Sequence, residues 1–124
     1  MTKKPKLFIV EDNEHQLLLM NIRLKDYYEI FVASNLAEAR KIFYENDPKI
    51  FNIIAFDGTL EAGEDTLELV EEFRPLFTKG IMVAISDNLL KNKKLFEAMQ
   101  VDKDSINYLC YKGEFIELAI KLAV

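Results

Sequence analysis

The sequence predicts an α/β fold in which a five-stranded parallel sheet is doubly wound, with helices on both of its faces. Segments with strand and helix patterns alternate five times along the chain, and this alternation is typical of parallel sheets. The middle strand segment, Ile53 to Phe56, is apolar throughout, as a strand buried on both faces should be. The chain has 124 residues, 50% of them hydrophobic, which suffices to bury one core. We therefore expect a single domain over residues 1–124.

Each element has its own signal in the sequence. Short runs rich in Ile, Val, Phe and Tyr predict the strands, and these are Leu7 to Val10, Glu29 to Ala33, Ile53 to Phe56, Ile81 to Ile85 and Ile106 to Tyr111. Apolar residues at helical spacing lie between the runs, and examples are Leu17, Met20 and Leu24, then Ala39 and Phe43, then Leu67, Val70 and Phe73. A capping side chain precedes an acid or amide by three residues at three predicted helix starts, namely Asn13 with Gln16, Asn35 with Glu38, and Asp65 with Glu68.

Composition and charge exclude several classes of protein. Sixteen basic and twenty-one acidic side chains give a net charge of −5, which repels a phosphate backbone, so we expect no direct nucleic-acid partner. Cys110 is the single cysteine, so no intrachain disulfide can form, and we interpret it as a core residue. The apolar run after the basic start ends at Glu11, and no stretch is long enough to cross a membrane. We expect a cytoplasmic protein with no membrane partner.

Polar side chains follow four of the predicted strands. Glu11 and Asp12 follow the first strand, Asp57 the third, Ser86 the fourth and Lys112 the fifth. The carboxyl ends of parallel strands lie at one edge of the sheet, where ligands bind near the point at which strand order reverses. We therefore expect three carboxylates, one hydroxyl and one ammonium group to form a single site.

This set of groups suits phosphoryl transfer. Crowded carboxylates repel one another and need a counter-charge, and oxygen ligands on loops suit Mg²⁺. Asp57 would be both a metal ligand and the nucleophile toward a phosphoryl group. Lys112 would place a positive charge on the phosphoryl oxygens, and Ser86 would donate a hydrogen bond to one of them.

The same segments resemble those of the bacterial response-regulator receiver domain. FIVEDN matches the acidic pair of that family, AFD its phosphoacceptor, AIS its Ser or Thr, and YK its lysine. The resemblance implies a flavodoxin-like sheet with strand order 2-1-3-4-5 and five helices, in a single-domain receiver similar to chemotaxis and phosphorelay regulators.

The resemblance also assigns roles and partners. Glu11, Asp12, Asp57 and the Thr59 carbonyl would bind Mg²⁺, and Asp57 would take phosphate from a histidine kinase or a histidine phosphotransfer protein. Ser86 and Lys112 would sense the phosphate, and a downstream protein partner would respond to it. The domain would then be no enzyme beyond its own phosphorylation and dephosphorylation.

Three other interpretations of the segment around Asp57 compete with this one. Asp-Gly is a common turn dipeptide. The haloacid-dehalogenase-type phosphatases carry Asp-x-Asp-Gly-Thr-Leu, which Phe56 to Leu60 partly matches, but Ala55 stands where their nucleophile would be. A pseudo-receiver that binds a partner without being phosphorylated is the non-catalytic alternative.

The chain departs from the receiver pattern at four places. Leu60-Glu61 and Asp65 replace the usual Met-Pro and Gly after the acceptor, and Asp87 puts an acid next to Ser86. Gly113 replaces the usual proline after Lys112, so we expect a trans bond there. The position of the family's aromatic switch is Leu109, between Tyr108 and Tyr111.

Two further groups have uncertain roles in the sequence alone. His15, the single histidine, begins the first helix, and we expect it to face solvent. Lys91, Lys93 and Lys94 form a basic cluster on the predicted fourth helix, either as a solvated face or as part of a partner surface. Because Leu109 lacks an aromatic ring, we expect the response to phosphorylation to run through residues 86–88 into that helix.

Overall fold

The computed structural model describes residues 3–47, 50–60, 63–101 and 103–123. Within these ranges strands and helices alternate as the sequence predicts. The strands are β1 (Lys6–Val10), β2 (Glu29–Ala33), β3 (Ile53–Asp57), β4 (Ile81–Ile85) and β5 (Ile106–Cys110). The helices are α1 (Glu14–Leu24), α2 (Leu36–Glu45), α3 (Leu67–Phe73), α4 (Leu89–Met99) and α5 (Phe115–Ala123). Short 3₁₀ turns, Arg74–Leu76 and Lys112–Glu114, follow α3 and precede α5.

The five strands form one parallel sheet in the order β2-β1-β3-β4-β5. The predicted fold class, strand order and helix number are confirmed for the described residues. Strand ends differ slightly from the prediction, since β1 begins at Lys6, β3 continues through Asp57 and β5 ends at Cys110. The chain runs from β1 to β2 on one side and then returns to β3 on the other, so the strand order reverses between β1 and β3.

The core has two layers because successive strand residues point to opposite faces of the sheet. Phe8 and Phe56 face the layer that includes Phe43 of α2 and Phe73 of α3, whose rings stack with centroids 3.8 Å apart. The alternate strand residues pack against α1 and α5 on the other face, and they include Leu7, Ile9, Ile53, Ala55, Val83 and Ile85. All five residues of β3 are buried, as the apolar run predicts.

Two of the three predicted helix caps are confirmed. Asn13 accepts a hydrogen bond from the Gln16 amide, and Asn35 accepts one from the Glu38 amide. The capping pair of Asp65 with Glu68 is wrong. Asp65 accepts from the Leu67 amide at 2.9 Å, while Glu68 forms an ion pair with Arg40 instead.

Arg74 is fully buried at the edge of the sheet opposite the carboxyl ends of the strands. Its guanidinium donates to the carbonyls of Met99 at 2.7 Å, Phe77 at 2.5 Å and Gly80 at 3.0 Å, and to Asn107 Oδ1 at 2.9 Å. A planar fork of donors can satisfy several carbonyls at once, so this side chain joins α4, β5 and the loop before β4. No helix in the described ranges is long and apolar enough to cross a bilayer.

Candidate functional site

Three carboxylates meet at the point where the strand order reverses. Glu11 directly follows β1, Asp12 comes next, and Asp57 ends β3. One oxygen from each carboxylate lies within 4.8 Å of the others. Glu11 and Asp57 are only 2% and 3% exposed. The structure therefore brings together the predicted acidic cluster, and it does so inside the protein rather than on a solvated surface.

The backbone of the loop after β1 fixes the position of Glu11. The Glu11 amide donates to the Ala33 carbonyl at 3.0 Å, which extends the pairing of β1 with β2 by one residue. Its carboxylate then accepts hydrogen bonds from the amides of Asp12 at 3.0 Å and Asn13 at 3.3 Å. Part of the hydrogen-bonding capacity of Glu11 is therefore used within the loop.

The environment of Asp57 disfavours its ionised form. Burial is the largest cause, followed by the hydrogen bond with Glu11, the charge of Glu11 and the charge of Asp12, while Lys112 acts in the opposite direction. Together these groups raise the pKa of Asp57 from 3.8 to about 8. The surroundings of Asp57 therefore favour its neutral form in the absence of a cation.

Lys112 supplies positive charge from the other side of the cluster. Its Nζ lies 3.6 Å from Asp57 Oδ1, and its side chain is about one-third exposed. The Lys112 amide donates to Asp87 Oδ1 at 3.0 Å, so the acid that departs from the receiver pattern holds the loop after β5 in place. The described peptide bonds are all trans, which confirms the expectation for the bond before Gly113.

Ser86 is buried at the end of β4, and its hydroxyl lies beside Gly58. A Cβ placed on Gly58 would be 3.4 Å from Ser86 Oγ. The hydroxyl accepts a hydrogen bond from the Asn88 amide at 3.0 Å. The Gly58 amide donates to the Ile85 carbonyl at 2.9 Å, so the chain after Asp57 stays paired with the end of β4.

Two buried residues that the sequence analysis missed support the site. The Thr66 hydroxyl donates to the carbonyls of Asp57 at 2.6 Å and Gly58 at 3.1 Å, and it thereby holds the loop after β3. The side-chain amide of Asn92 donates to the backbone carbonyls of Ser86 and Cys110, which joins α4 to the ends of β4 and β5. A threonine directly before a predicted helix, as at Thr66, is a pattern that sequence analysis can recognise. Asn92 lies between two lysines and has no pattern that indicates a buried, hydrogen-bonded side chain.

The remaining sequence-predicted residues have simpler surroundings. Thr59 is exposed and forms an isolated antiparallel bridge with Asp65, and the role of its carbonyl stays a prediction. Glu61 lies outside the described residues. His15 is exposed, as expected. Leu109 is 42% exposed.

The carboxylate cluster could hold a metal ion. Its donors are oxygen atoms alone, and a hard cation would supply the counter-charge that the raised pKa of Asp57 shows to be lacking. The structure also has a cleft of about 450 Å³ near Phe51 and Leu76, where Lys79 is the sole titratable lining residue. The acidic cluster is therefore the better candidate for chemistry.

Comparisons with known proteins identify solved structures that share the fold of this chain. No protein-family model and no curated protein matches the chain. A putative response regulator from Chloroflexus aurantiacus superposes with a TM-score of 0.74 at 22% identity, over 98% of each chain. The chemotaxis response regulator CheY4 of Vibrio cholerae has a TM-score of 0.73 at 16% identity, over 98% of this chain and 100% of that one.

A third comparison comes from a complex. The co-crystal structure of the Saccharomyces cerevisiae histidine phosphotransfer protein Ypd1 with the receiver domain of the response regulator Ssk1 matches with a TM-score of 0.69 at 19% identity. It covers 100% of this chain and 94% of that chain. The chain therefore has the fold of response-regulator receiver domains over nearly its whole length.

Proposed function

We propose that this chain is a phosphoacceptor receiver of a two-component signalling system. Asp57 takes a phosphoryl group in a Mg²⁺-dependent reaction, and the product has a changed affinity for a protein partner. One observation carries this proposal: the buried Asp57 carboxylate lies 3.6 Å from the Lys112 ammonium and within the cluster of Glu11 and Asp12. The site lies at the strand-order reversal, where open parallel sheets bind ligands.

The donor in the transfer step is a phosphohistidine. An oxygen of the ionised Asp57 carboxylate attacks phosphorus, a P–O bond forms and the P–N bond to the donor imidazole breaks. The electron pair of that bond returns to the imidazole nitrogen, which takes up a proton. Mg²⁺ held by Glu11, Asp12, Asp57 and the Thr59 carbonyl would neutralise charge on the phosphoryl oxygens.

Residues that follow β4 and β5 hold the product. The Lys112 ammonium, already paired with Asp57, stabilises the additional negative charge. The Ser86 hydroxyl, which lies over Gly58, donates a hydrogen bond to a phosphoryl oxygen. We infer that the domain catalyses only its own phosphorylation and dephosphorylation.

The partners follow from this chemistry. A histidine kinase or a histidine phosphotransfer protein supplies the phosphoryl group, and the precedent for the latter is the complex of Ypd1 with the Ssk1 receiver. A downstream protein responds to the phosphorylated form, and we place the domain in the cytoplasm, where such donors are made. The net charge of −5 argues against direct binding of nucleic acid.

Two other candidate functions are a haloacid-dehalogenase-like phosphatase and a pseudo-receiver, and the first is disfavoured. Ala55 is fully buried in the core against α1 and α5, so the position of the haloacid-dehalogenase nucleophile has neither a carboxylate nor access to substrate. A pseudo-receiver has one supporting observation. Leu109 is half exposed on β5 and cannot act as an aromatic switch, so one device for transmitting phosphorylation is missing.

Intact mass after incubation with acetyl phosphate tests the proposal. We expect the wild-type chain to gain one phosphoryl mass in Mg²⁺ and much less in EDTA, and Asp57→Asn to gain none, because an amide is a far weaker nucleophile. Asp26→Asn is the matched control, since Asp26 is an exposed acid just after α1. Absence of any gain in wild type would favour the pseudo-receiver, and an equal gain in the Asp57→Asn variant would exclude Asp57 as the acceptor.

A further inference from the structure

A lysine of α4 crosses the edge of the candidate site to reach the loop after β3. Lys91 lies in the first turn of α4, and its Nζ contacts Asp65 Oδ2 at 2.5 Å. Asp65 precedes α3 and also accepts a hydrogen bond from the Leu67 amide at 2.9 Å. The Lys91 side chain is 21% exposed, which is low for a lysine, and the neighbouring Lys93 and Lys94 are exposed.

Gly58 provides the space through which Lys91 passes. A Cβ placed on Gly58 would lie 2.7 Å from Lys91 Cγ, closer than real Cβ contacts allow. The same Cβ would lie 3.3 Å from Ser86 Cβ and 3.4 Å from Ser86 Oγ. The stem of Lys91 and the hydroxyl of Ser86 are therefore neighbours, directly beside the residue that follows Asp57.

We propose that Lys91 is a second cationic residue for the phosphoryl group, held by Asp65 in the unphosphorylated protein and exchanged onto the phosphoryl oxygens when Asp57 is modified. This inference rests on the proposed function, because it requires a phosphoryl group on Asp57. The exchange releases the tether between α4 and the loop before α3. Phosphorylation is thereby coupled to the start of α4.

The charges of the site favour this exchange. A phosphoryl group carries about −1.5 to −2 charges at neutral pH and three strong acceptor oxygens, compared with one charge on Asp65. The Asp65 side chain is 46% exposed, so solvent screens its pairing with Lys91. Asp65 also keeps the Leu67 amide as a partner after the exchange. The lysine stem is flexible and its ammonium donors rotate, so Lys91 can exchange one oxygen partner for another.

This competition predicts opposite effects for the two members of the ion pair. Removal of the Lys91 charge takes a donor away from the phosphoryl group, whereas removal of the Asp65 charge frees Lys91 to bind it. A purely structural tether predicts instead that both substitutions weaken phosphoryl binding, because both disturb the same loop. The sign of the Asp65 effect therefore separates the two roles.

The affinity of the full chain for beryllofluoride in excess Mg²⁺, measured by fluorine NMR, gives that sign. We expect Lys91→Met to weaken binding about tenfold, which is typical of losing a hydrogen bond between charged groups. We expect Asp65→Asn to strengthen it about threefold. In the Lys91→Met background, Asp65→Asn should have no further effect. Lys93→Met and Asp26→Asn are matched controls for the change in net charge, and they should bind as wild type does.

Amide hydrogen exchange without beryllofluoride provides the second measurement. Both Lys91→Met and Asp65→Asn should accelerate exchange in the first turn of α4 while the rest of the sheet stays protected, which shows that the tether is lost and the fold is kept. Weaker beryllofluoride binding in Asp65→Asn, or unchanged binding in Lys91→Met, would overturn the exchange. If wild type gains no phosphoryl mass from acetyl phosphate, the proposed function itself is wrong, and the exchange is overturned with it.

Discussion

Replacing Asp57 with Asn should stabilise the metal-free protein, and the gain should grow as the pH rises. The pKa of Asp57 is about 8 in the native state and 3.8 in its ordinary surroundings. Between these values the native state binds more protons than the unfolded state, so the free energy of unfolding falls with rising pH. An Asn side chain does not titrate, and it keeps nearly the same shape. The variant therefore lacks this loss of stability.

The size of the effect follows from the same pKa difference. A difference of roughly four pKa units corresponds to an upper limit of about 6 kcal/mol, at about 1.36 kcal/mol per unit. The pKa of about 8 already includes the attraction of Lys112. Rearrangement of water around the cluster reduces the cost of the native charge below this limit. We expect the stability difference between Asp57→Asn and wild type to increase by about 2 kcal/mol from about pH 5 to about pH 8.

Urea unfolding at a series of pH values, in EDTA, measures this difference. Asp26→Asn is the control for the loss of one carboxylate, because Asp26 is exposed and lies outside the cluster. Addition of Mg²⁺ should reduce the advantage of the Asn variant, since a bound cation relieves the repulsion among the wild-type carboxylates. A difference that stays constant with pH, or that decreases as the pH rises, would refute the assignment of a raised pKa to Asp57.

Two further predictions concern the metal ligands and the buried arginine. Asp12→Asn should weaken Mg²⁺ binding by about tenfold and Glu11→Gln by less, because the Glu11 carboxylate already accepts hydrogen bonds from two backbone amides. Calorimetric titration with Mg²⁺ measures both affinities, and a weaker affinity in Glu11→Gln than in Asp12→Asn would contradict this ranking. Arg74→Met should lower the free energy of unfolding by about 3–5 kcal/mol, since buried carbonyls of Met99 and Phe77 lose their donor. Urea unfolding of this variant and of the surface control Arg23→Met measures the loss of stability. Equal losses in the two variants would refute the stabilising role of Arg74.

The fold could be predicted from the sequence because its signals are local and repeated. Apolar runs specify the strands, and the all-apolar run from Ile53 predicts that β3 is buried on both faces, as it is. The asparagine caps at Asn13 and Asn35 were recognisable because a cap bonds to amides two or three residues away. The third cap was wrong because Glu68 pairs with Arg40, a residue of another helix that local spacing does not reveal.

The positions of the site residues could be predicted from the topology of the sheet. The contacts that support those residues could not. Topology alone places Glu11, Asp57 and Lys112 at one edge, since all parallel strands end there. The contacts that hold these residues depend on tertiary packing. Asn92 reaches two carbonyls from the start of α4, and Lys91 crosses to Asp65 because Gly58 leaves room. Neither contact has a sequence pattern, because each depends on how α4 packs against the loop after β3 and the ends of β4 and β5.

Two departures from the receiver pattern bear on α4: Asp65 pairs with Lys91 of α4, and Leu109 stands where the family has its aromatic switch. Leu109 is half exposed and has no ring to fill the space beside Ser86. The neighbours of Ser86 come from the start of α4 instead: the Asn88 amide donates to its hydroxyl, and the Asn92 side chain donates to its carbonyl. We therefore expect that a displacement of Ser86 toward Asp57 would pull on α4 directly, without an aromatic intermediate. Because Lys91 lies in the same turn of α4, the hydroxyl and the ammonium would act on one element together.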